Sequence, residues 1–457
     1  MATQADEQGT TNATPPLFSV PRAPDLVFEW AAIIPLAIYL ISYGYSRRLV
    51  GRTALAESLN VGFFPKLGAL EHIARLIEEG SDYLDRACSV SEFRREVWDV
   101  NWGSRFPCAN GSATDILIAH ALRAAPPPVS ATATMHVRDF GCGEKKGKQK
   151  ALAQFTRPQV LHVIKCARTA PARAVYASVR AKHKRLLNCL YNLLVIGIFI
   201  GAACVACLFG LYGTMAASLI SAAFQAIRAS IVVHPPDSYL LDNERGNISA
   251  CMLVADHQNA SSWFLFCGDR GVVDGVLNKN MIFSIESRFG RLSTICTVAL
   301  LRLLATLQLL VMTFVACQKG WDGIGLLVFV VVARITEDVI QYERRLTKSW
   351  AKRHGVSFGA RSFEFKGRTS MIGAIQIFKK DPTQSWMDII LQPAARRNLW
   401  LKKIDDGKDD YEEDPMWKEL KDSDRSWVRF NIATSRAAAK IVESELAKLP
   451  SPVAGTV

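Results

Sequence analysis

The longest uncharged run of the chain dominates its pattern of hydrophobic and polar positions. It covers residues 186–233 and contains no charged side chain before Arg228. About 20 apolar residues already form a helix that spans a bilayer, so a run of about twice that length is typical of two such helices. Gly210 and Gly213 supply a break near its middle. We therefore predict transmembrane helices 2 and 3 here.

Two other apolar segments predict three further membrane helices. Residues 26–46 form the first, and residues 294–340 form a hairpin whose arms meet at a short polar link. The expected fold class is thus an α-helical polytopic membrane protein with about five transmembrane helices and small α+β cytosolic regions. Arginine clusters follow the first and last helices, which places the N-terminus outside and the C-terminus in the cytosol. A re-entrant hairpin is the alternative for residues 294–340.

The polar segments between these helices complete the predicted organisation. They are an extracytosolic tail at 1–25, a basic cytosolic region at 53–183, an α+β insert at 237–292 and a cytosolic C-terminal region at 343–457. The side on which the insert lies depends on the second half of the long apolar run. Gln225 and Arg228 leave roughly 17 apolar residues there, which is the lower limit for a span.

Within the insert, residue alternation predicts a β-hairpin followed by a short helix. Residues 248–255 and 261–267 are the two strands, and residues 272–278 have a helical pattern. Pairing of these strands would bring Cys251 close to Cys267. Such a pair could be oxidised in a lumenal loop and would stay reduced in the cytosol.

The C-terminal region gives two further local predictions. Residues 362–365 and 371–378 are expected to form a second hairpin, and residues 435–449 an amphipathic helix. Neither segment carries a recognisable active-site motif.

Composition agrees with a membrane protein. The chain has 457 residues, of which 49% are hydrophobic and 21% charged, with a net charge of +13. A positive charge excess arises either from nucleic-acid binding or from Lys and Arg beside membrane helices. No nucleic-acid motif and no basic stripe with interleaved aromatics is present, so we expect no nucleic-acid partner. The expected partners are the lipid bilayer, anionic lipid and a cytosolic protein.

The candidate chemistry is sparse. The sequence has no serine-hydrolase elbow, zinc-protease helix, phosphate-binding loop or dinucleotide fingerprint, and we expect neither a metal site nor a cofactor. The best polar cluster is in the predicted insert, where a hairpin and the following helix could bring an imidazole, a guanidinium and carboxylates together. Its members are Asp256, His257, Asp269, Arg270 and Asp274. Turn residues and a helix cap explain the same residues without catalysis.

Two further features have a predicted place in this topology. Counting outward from the link of the 294–340 hairpin sets Arg302 level with Glu337 and Asp338, which predicts an ion pair near the cytosolic boundary. A substrate or proton site is the alternative for these residues. Asn12 begins an Asn-Ala-Thr sequon that the extracytosolic tail would expose to glycosylation.

One stretch carries a family resemblance. Residues 256–281, DHQNASSWFLFCGDRGVVDGVLNKNM, resemble a block in uncharacterised multi-pass membrane proteins of filamentous fungi. With its flanking apolar segments it covers about the central third of the chain. The resemblance implies a membrane location and carries over no catalytic residue.

These observations favour a membrane scaffold or accessory protein that binds a cytosolic partner or anionic lipid. The first alternative is a membrane-embedded enzyme acting on a lipid-soluble substrate through the polar cluster. The second is a transporter, which the lack of an internal repeat disfavours. The predicted location is the endoplasmic reticulum or the plasma membrane.

Overall fold

The computed structural model describes the greater part of the chain. Its described residues are 24–41, 45–59, 68–80, 95–131, 157–168, 175–241, 249–318, 320–339, 342–379, 384–406 and 414–448. The strands are β1 Glu96–Asp99, β2 Arg105–Pro107, β3 Val129–Ser130, β4 Gln159–Arg168, β5 Ile231–His234, β6 Ala250–Ala255, β7 Ser262–Gly268, β8 Ser284–Ser287 and β9 Val356–Phe365.

Along the chain, groups of helices separate these strands. They are α1 Asp25–Ile41, α2 Tyr45–Ala56, α3 Ala69–Glu79, α4 Gly111–Arg123, α5 Val175–Leu208, α6 Tyr212–Ser230, α7 Arg270–Leu277, α8 Arg291–Gln318, α9 Trp321–Val339, α10 Tyr342–His354, α11 Arg368–Phe378, α12 Ala395–Asp406, α13 Pro415–Glu419 and α14 Asp422–Ala447. A 3₁₀ helix covers Gln384–Met387.

A mixed seven-stranded sheet is the centre of the fold. Its strand order is β2-β1-β6-β7-β4-β9-β3, and β5 and β8 form a separate two-stranded ribbon. Strand β4 pairs in parallel with β7 and antiparallel with β9. Since β4, β7 and β9 come from the three predicted regions 53–183, 237–292 and 343–457, these regions are not separate units. They build one sheet.

Side chains alternate between the two faces of this sheet. Leu161, Val163 and Leu265 belong to a core covered by α11, α12 and α14, and we call this side the α14 face. Ile164 and Phe266 point to the other side, the α4 face, which α4 and α7 cover. The core of the α4 face continues into residues of α6 and α8. The longest apolar helices therefore pack on one side of the sheet only.

The predicted fold class is wrong. The structure contains a seven-stranded sheet. Its architecture is therefore α+β and not that of a polytopic membrane protein with five spans and small polar regions. Among the described residues, only Leu190–Leu208 in α5 and Leu292–Gln318 in α8 are long and apolar enough to cross a membrane. Shorter apolar stretches lie at Leu26–Ile38 in α1 and Trp321–Ala333 in α9.

The sequence pattern of α6 explains why it does not count as a span. Its inward side carries Thr214, Ser218, Ser221 and Gln225, all of which are buried. The Ser218 and Ser221 hydroxyls donate to the backbone carbonyl oxygens four residues earlier, both at 2.8 Å. These polar side chains lower the mean hydropathy of α6, although the two serine hydroxyls are hydrogen-bonded within the helix.

Helices α5 and α6 form one helical hairpin, and α8 and α9 form another. The break predicted near Gly210 is confirmed, because α5 ends at Leu208 and Gly210 has a φ of 70°. The hairpins meet near their turns. The Asp322 carboxylate of α9 accepts from the Thr214 backbone N–H in the first turn of α6 at 2.8 Å, where the helix dipole favours a negative charge.

Local predictions in the sheet have mixed outcomes. The hairpin of the insert is confirmed as β6 and β7, and the short helix after it as α7. The second predicted hairpin is wrong, because residues 371–378 lie in helix α11. Met371, Ile372, Ala374 and Ile375 are all buried there, and this i, i+1, i+3, i+4 spacing suits a helix buried on a broad face.

Candidate membrane-binding surface

The fold divides the predicted polar cluster into two groups. Asp256 and His257 lie in the turn that joins β6 to β7, whereas Asp269 follows the other end of β7. Strand β7 has seven residues, which separate its two ends by roughly 20 Å. The two groups therefore cannot act on one substrate group.

Arg270 is the centre of the group beyond β7. Its guanidinium lies 3.4 Å from an Asp99 carboxylate oxygen and 3.3 Å from one of Asp274. The same guanidinium stacks 3.5 Å above the ring centre of Trp102. Arg270 is 4% exposed and Asp99 1% exposed. Because the network is enclosed, it stabilises the junction of β1 and α7 rather than offering a binding site.

Asp269 has a capping role beside this network. Its carboxylate accepts from the Val272 backbone N–H at 3.0 Å and so caps the N-terminus of α7. The Arg168 side chain at the end of β4 lies 3.3 Å from the same carboxylate. Both contacts are structural ones.

The group at the hairpin turn centres on Arg95, which sequence reasoning missed. Arg95 lies 2.6 Å from the Asp115 carboxylate of α4 and 3.5 Å from that of Asp256. Its guanidinium also covers the ring of Phe264 at 4.7 Å. His257 uses its Nδ1 to accept from the Asn259 backbone N–H at 3.0 Å, as a turn residue does.

A histidine–serine pair follows on the same face of the sheet. His162 stacks on Phe264 and its Nδ1 lies 2.8 Å from the Ser362 hydroxyl oxygen. Burial lowers the pKa of His162, so the ring is neutral near pH 7. Ser362 is only 4% exposed beneath the packed α4 face, which leaves its hydroxyl no room to attack a substrate.

Among the described residues, Arg302 pairs with a carboxylate other than those of the predicted partners Glu337 and Asp338. Its guanidinium lies 2.5 Å from the Glu78 carboxylate at the end of α3, and both side chains are nearly half exposed. The side chains of Glu337 and Asp338, like Asn12, lie outside the described residues. The predicted ion pair and the glycosylation of Asn12 stay predictions.

The apolar helices expose their hydrophobic side chains. In α5, Leu194 is 63% exposed and Ile198 47%, and only 22% of the apolar window Leu190–Leu208 is buried. In α8, Leu303 is 54% exposed and Leu310 58%, and 39% of its window is buried. A core helix of a water-soluble protein would bury most of such a window. The outward apolar faces of α5 and α8 are therefore typical of membrane association.

A basic surface lies where the second helical hairpin joins the sheet. Helix α10 follows α9, buries Leu346 and Trp350 against α2, α4 and β9, and directs its cations outward. We define the α10 basic surface by exposed side chains of α4 and α10. These are Arg123, Arg344, Arg345, Lys348 and Lys352.

The pKa of His120 reflects the positive charge of this surface. Burial lowers its pKa, and the neighbouring charges of Lys348, Arg344 and Arg123 lower it further. The Glu343 carboxylate in the first turn of α10 pairs with Arg52 at 3.1 Å. A negatively charged group bound here would relieve the repulsion among these side chains.

Comparisons with known proteins add no relative. No protein-family model, no curated protein and no solved structure matches this chain. Function must therefore be argued from the site itself.

The residues that sequence reasoning missed are mainly those of β1 and the loop after it. Val97, Trp98 and Val100 form a short run rich in strand-forming residues, and Gly103 follows it in a turn. That signal would have located the β1–β2 hairpin. It would not have located the partners of Arg95 and Arg270, because those lie in distant segments.

Proposed function

We propose that this chain is an integral membrane scaffold or accessory protein. The long apolar helices α5 and α8 enter the bilayer, and the sheet lies at its cytosolic surface. The α10 basic surface then binds anionic lipid headgroups. The observation that carries the proposal is the exposed apolar surface of α5 and α8 on one side of a folded sheet.

Sheet pairing supports this topology. Strands β4, β7 and β9 are hydrogen-bonded neighbours, so they lie on the same side of any membrane. The chain between β4 and β7 must therefore cross an even number of times, and so must the chain between β7 and β9. One helical hairpin lies in each interval, and its second arm, α6 or α9, leads the chain back to the sheet.

The polar boundaries of the hairpins indicate a thin apolar layer. The Arg228 guanidinium donates to the Asn192 side-chain oxygen at 2.6 Å, which marks the sheet-side boundary of the first hairpin. From Asn192 to the end of α5 a helix rises about 24 Å, and the rise from Arg302 to the end of α8 is about the same. Since a typical hydrocarbon core is about 30 Å thick, this favours the thinner endoplasmic reticulum bilayer.

Charges placed on the outward face of α5 test membrane insertion. We expect Ile198→Arg combined with Ile200→Arg to remove the protein from alkali-washed membranes. Both side chains are 47% exposed near the middle of the apolar window, where each arginine costs about 2.5–3.5 kcal/mol of insertion free energy. The measurement is the partition between pellet and supernatant after alkaline carbonate extraction of cells expressing each variant.

The matched control uses exposed apolar residues of the sheet region. Ile389 and Phe430 are 45% and 46% exposed, so Ile389→Arg with Phe430→Arg should leave the protein in the pellet. If α5 faced water, the α5 variant would instead stay folded and become more soluble without detergent. That result, or extraction of the unaltered protein by carbonate, would refute the proposal.

Charge reversal on the α10 basic surface tests lipid binding. Arg345→Glu with Lys348→Glu should reduce the enrichment of phosphatidylserine over phosphatidylcholine roughly 30-fold, because each basic residue near an anionic membrane contributes about 1 kcal/mol. The full-length protein is purified in mild detergent, equilibrated with a defined mixture of the two lipids, and its bound lipid is quantified by mass spectrometry.

A control with the same change in net charge separates surface binding from overall charge. Lys421, the N-cap residue of α14, and Lys440 within α14 are exposed, across the sheet from α10. Lys421→Glu with Lys440→Glu should leave the lipid ratio unchanged. An equal loss in both double variants would mean that only net charge matters, and the α10 basic surface would then have no specific role.

The fold gives little support to the enzyme alternative. Catalysis by the predicted cluster would need His257 near Asp269 and Arg270, and β7 holds them at opposite ends. The described ranges also bring no three His, Cys, Asp or Glu side chains close enough to hold a metal ion.

A further inference from the structure

A pocket opens on the α14 face of the sheet, away from the α10 basic surface and the apolar helices. Its volume is about 560 Å³, and it lies at the ends of β4, β6 and β7. Cys251, Cys267, Lys165, Phe378 and Lys379 line it. None of the roles described above uses these side chains.

Strand register places three of these residues in a row. Cys251 pairs with Cys267 across the antiparallel strands β6 and β7, and Cys267 pairs with Lys165 across the parallel strands β7 and β4. The two sulfur atoms are 3.5 Å apart. Directly opposed antiparallel residues have Cα atoms about 4.5–5.5 Å apart, within the range of a disulfide. A bond can therefore form with small side-chain rotations.

The two thiols have different environments. Cys251 is 2% exposed, and its hydrogen bond with Cys267 together with burial raises its pKa well above that of a free thiol. Cys267 is partly exposed to the pocket and has Lys165 beside it. Cys267 is therefore placed to attack a molecule in the pocket, and Cys251 to attack Cys267 in turn.

The pocket is positively charged. The Lys165 ammonium donates to the Leu446 backbone oxygen at 2.7 Å, and that of Lys379 donates to the backbone and hydroxyl oxygens of Ser249 at 3.1 and 3.3 Å. Across the described ranges neither ammonium has a carboxylate within ion-pair distance. Two ammonium groups at one pocket favour an anionic ligand.

We propose that Cys251 and Cys267 form a thiol–disulfide exchange site for a small anionic disulfide. The Cys267 thiolate attacks one sulfur of the ligand disulfide, forms a mixed disulfide and releases one small thiolate. Cys251 then transfers its proton to that released thiolate and attacks the Cys267 sulfur, which forms the Cys251–Cys267 bond. The second thiolate leaves and takes up the proton that Cys267 lost on ionising. Two protein thiols are oxidised while one ligand disulfide is reduced to two thiols.

Peptide mapping of the unaltered protein tests the bond. Full-length protein in detergent is incubated with oxidised glutathione, its remaining thiols are blocked with a maleimide, and its peptides are analysed by mass spectrometry. We expect a linked peptide pair containing Cys251 and Cys267, reversed by reduced glutathione. Both cysteines blocked by maleimide, or only glutathione adducts on other cysteines, would overturn the proposal.

Single substitutions separate the two roles. Cys251→Ala should accumulate one stable glutathione on Cys267, whereas Cys267→Ala should leave Cys251 unmodified. Cys166→Ala is the matched control, because Cys166 also lines the pocket but its side chain belongs to the core of the α4 face. This control should form the Cys251–Cys267 bond at an unchanged rate. Modification of Cys251 in the Cys267→Ala variant would refute the assigned order.

Ligand charge gives a test that needs no variant. Oxidised glutathione is anionic and cystamine is a cationic disulfide of smaller size. Oxidised glutathione should close the Cys251–Cys267 bond at least tenfold faster than cystamine at low salt, and added salt should reduce that ratio. Equal rates would show that Lys165 and Lys379 do not select the ligand, which would refute an anionic one.

Discussion

Replacing Arg270 with leucine should lower the free energy of unfolding of the sheet by about 3–5 kcal/mol. The substitution leaves the carboxylates of Asp99 and Asp274 buried without the guanidinium between them. It also removes the cation that stacks on Trp102. The measurement is chemical denaturation of the detergent-solubilised protein, followed by far-ultraviolet circular dichroism.

An exposed ion pair in the same sheet provides the control. Arg105 pairs with Glu96 across β1 and β2, and its side chain is 35% exposed, so Arg105→Leu should cost less than about 1 kcal/mol. Adding Asp274→Asn to Arg270→Leu should recover part of the loss, because it removes one of the unpaired charges. Similar losses for Arg270→Leu and Arg105→Leu would show that the buried network contributes little.

Gly268→Ala should be comparably destabilising, by about 3 kcal/mol, for a backbone reason. Gly268 ends β7 with a φ of 134°, a conformation that side chains other than glycine rarely adopt. A Cβ there would also lie 1.9 Å from the Cys166 backbone oxygen. That oxygen accepts from the Asp269 backbone N–H at 3.0 Å, so the clash would disturb the start of α7. Thermal unfolding of the variant measures the effect.

Gly359 gives a matched comparison in β9, because it pairs with Lys165 of the same row. A Cβ added at Gly359 would meet no atom within 4 Å. Gly359→Ala should therefore be neutral or raise the free energy of unfolding by about 0.5 kcal/mol, since alanine loses less backbone entropy. If both alanine variants unfolded alike, the strained backbone at Gly268 would not be the cause.

Some local elements of this protein could be predicted because a single turn and the alternation of apolar and polar residues beside it define them. The β6–β7 hairpin is one of these, and its register places Cys251 opposite Cys267. The break between α5 and α6 follows from glycine in the same way. In each case the partners lie close together in the chain, and the pattern that predicts the structure is contained in about 20 residues.

The sheet could not be predicted in this way. Strand β4 pairs with β7 about 100 residues later and with β9 about 190 residues later, so no single window of sequence contains a pair. The apolar runs between them suggested spans and separated these strands into different predicted regions. The absence of charge before Arg228 also predicted a span at α6, but its inward polar side chains make it less apolar than α5 and α8.

The structure separates the members of the predicted polar cluster for a related reason. His257 and Asp269 are 12 positions apart, which looks close, but an extended strand between them moves them apart. Arg270 instead meets Asp99, which is 171 positions away. Chemical type indicated that these side chains would have polar partners, and the sheet order decided which partners they have.

Synthesis of this chain imposes an order on the pairing of β4. Translation at about 5–20 residues per second leaves β4 waiting roughly 10–40 s for β9 to emerge from the ribosome. During that time both helical hairpins are already made, and the apolar edge of β4 has unpaired backbone groups that can join another chain. Premature termination before Val356 should therefore leave this edge of β4 without β9 and make the truncated chain prone to aggregation.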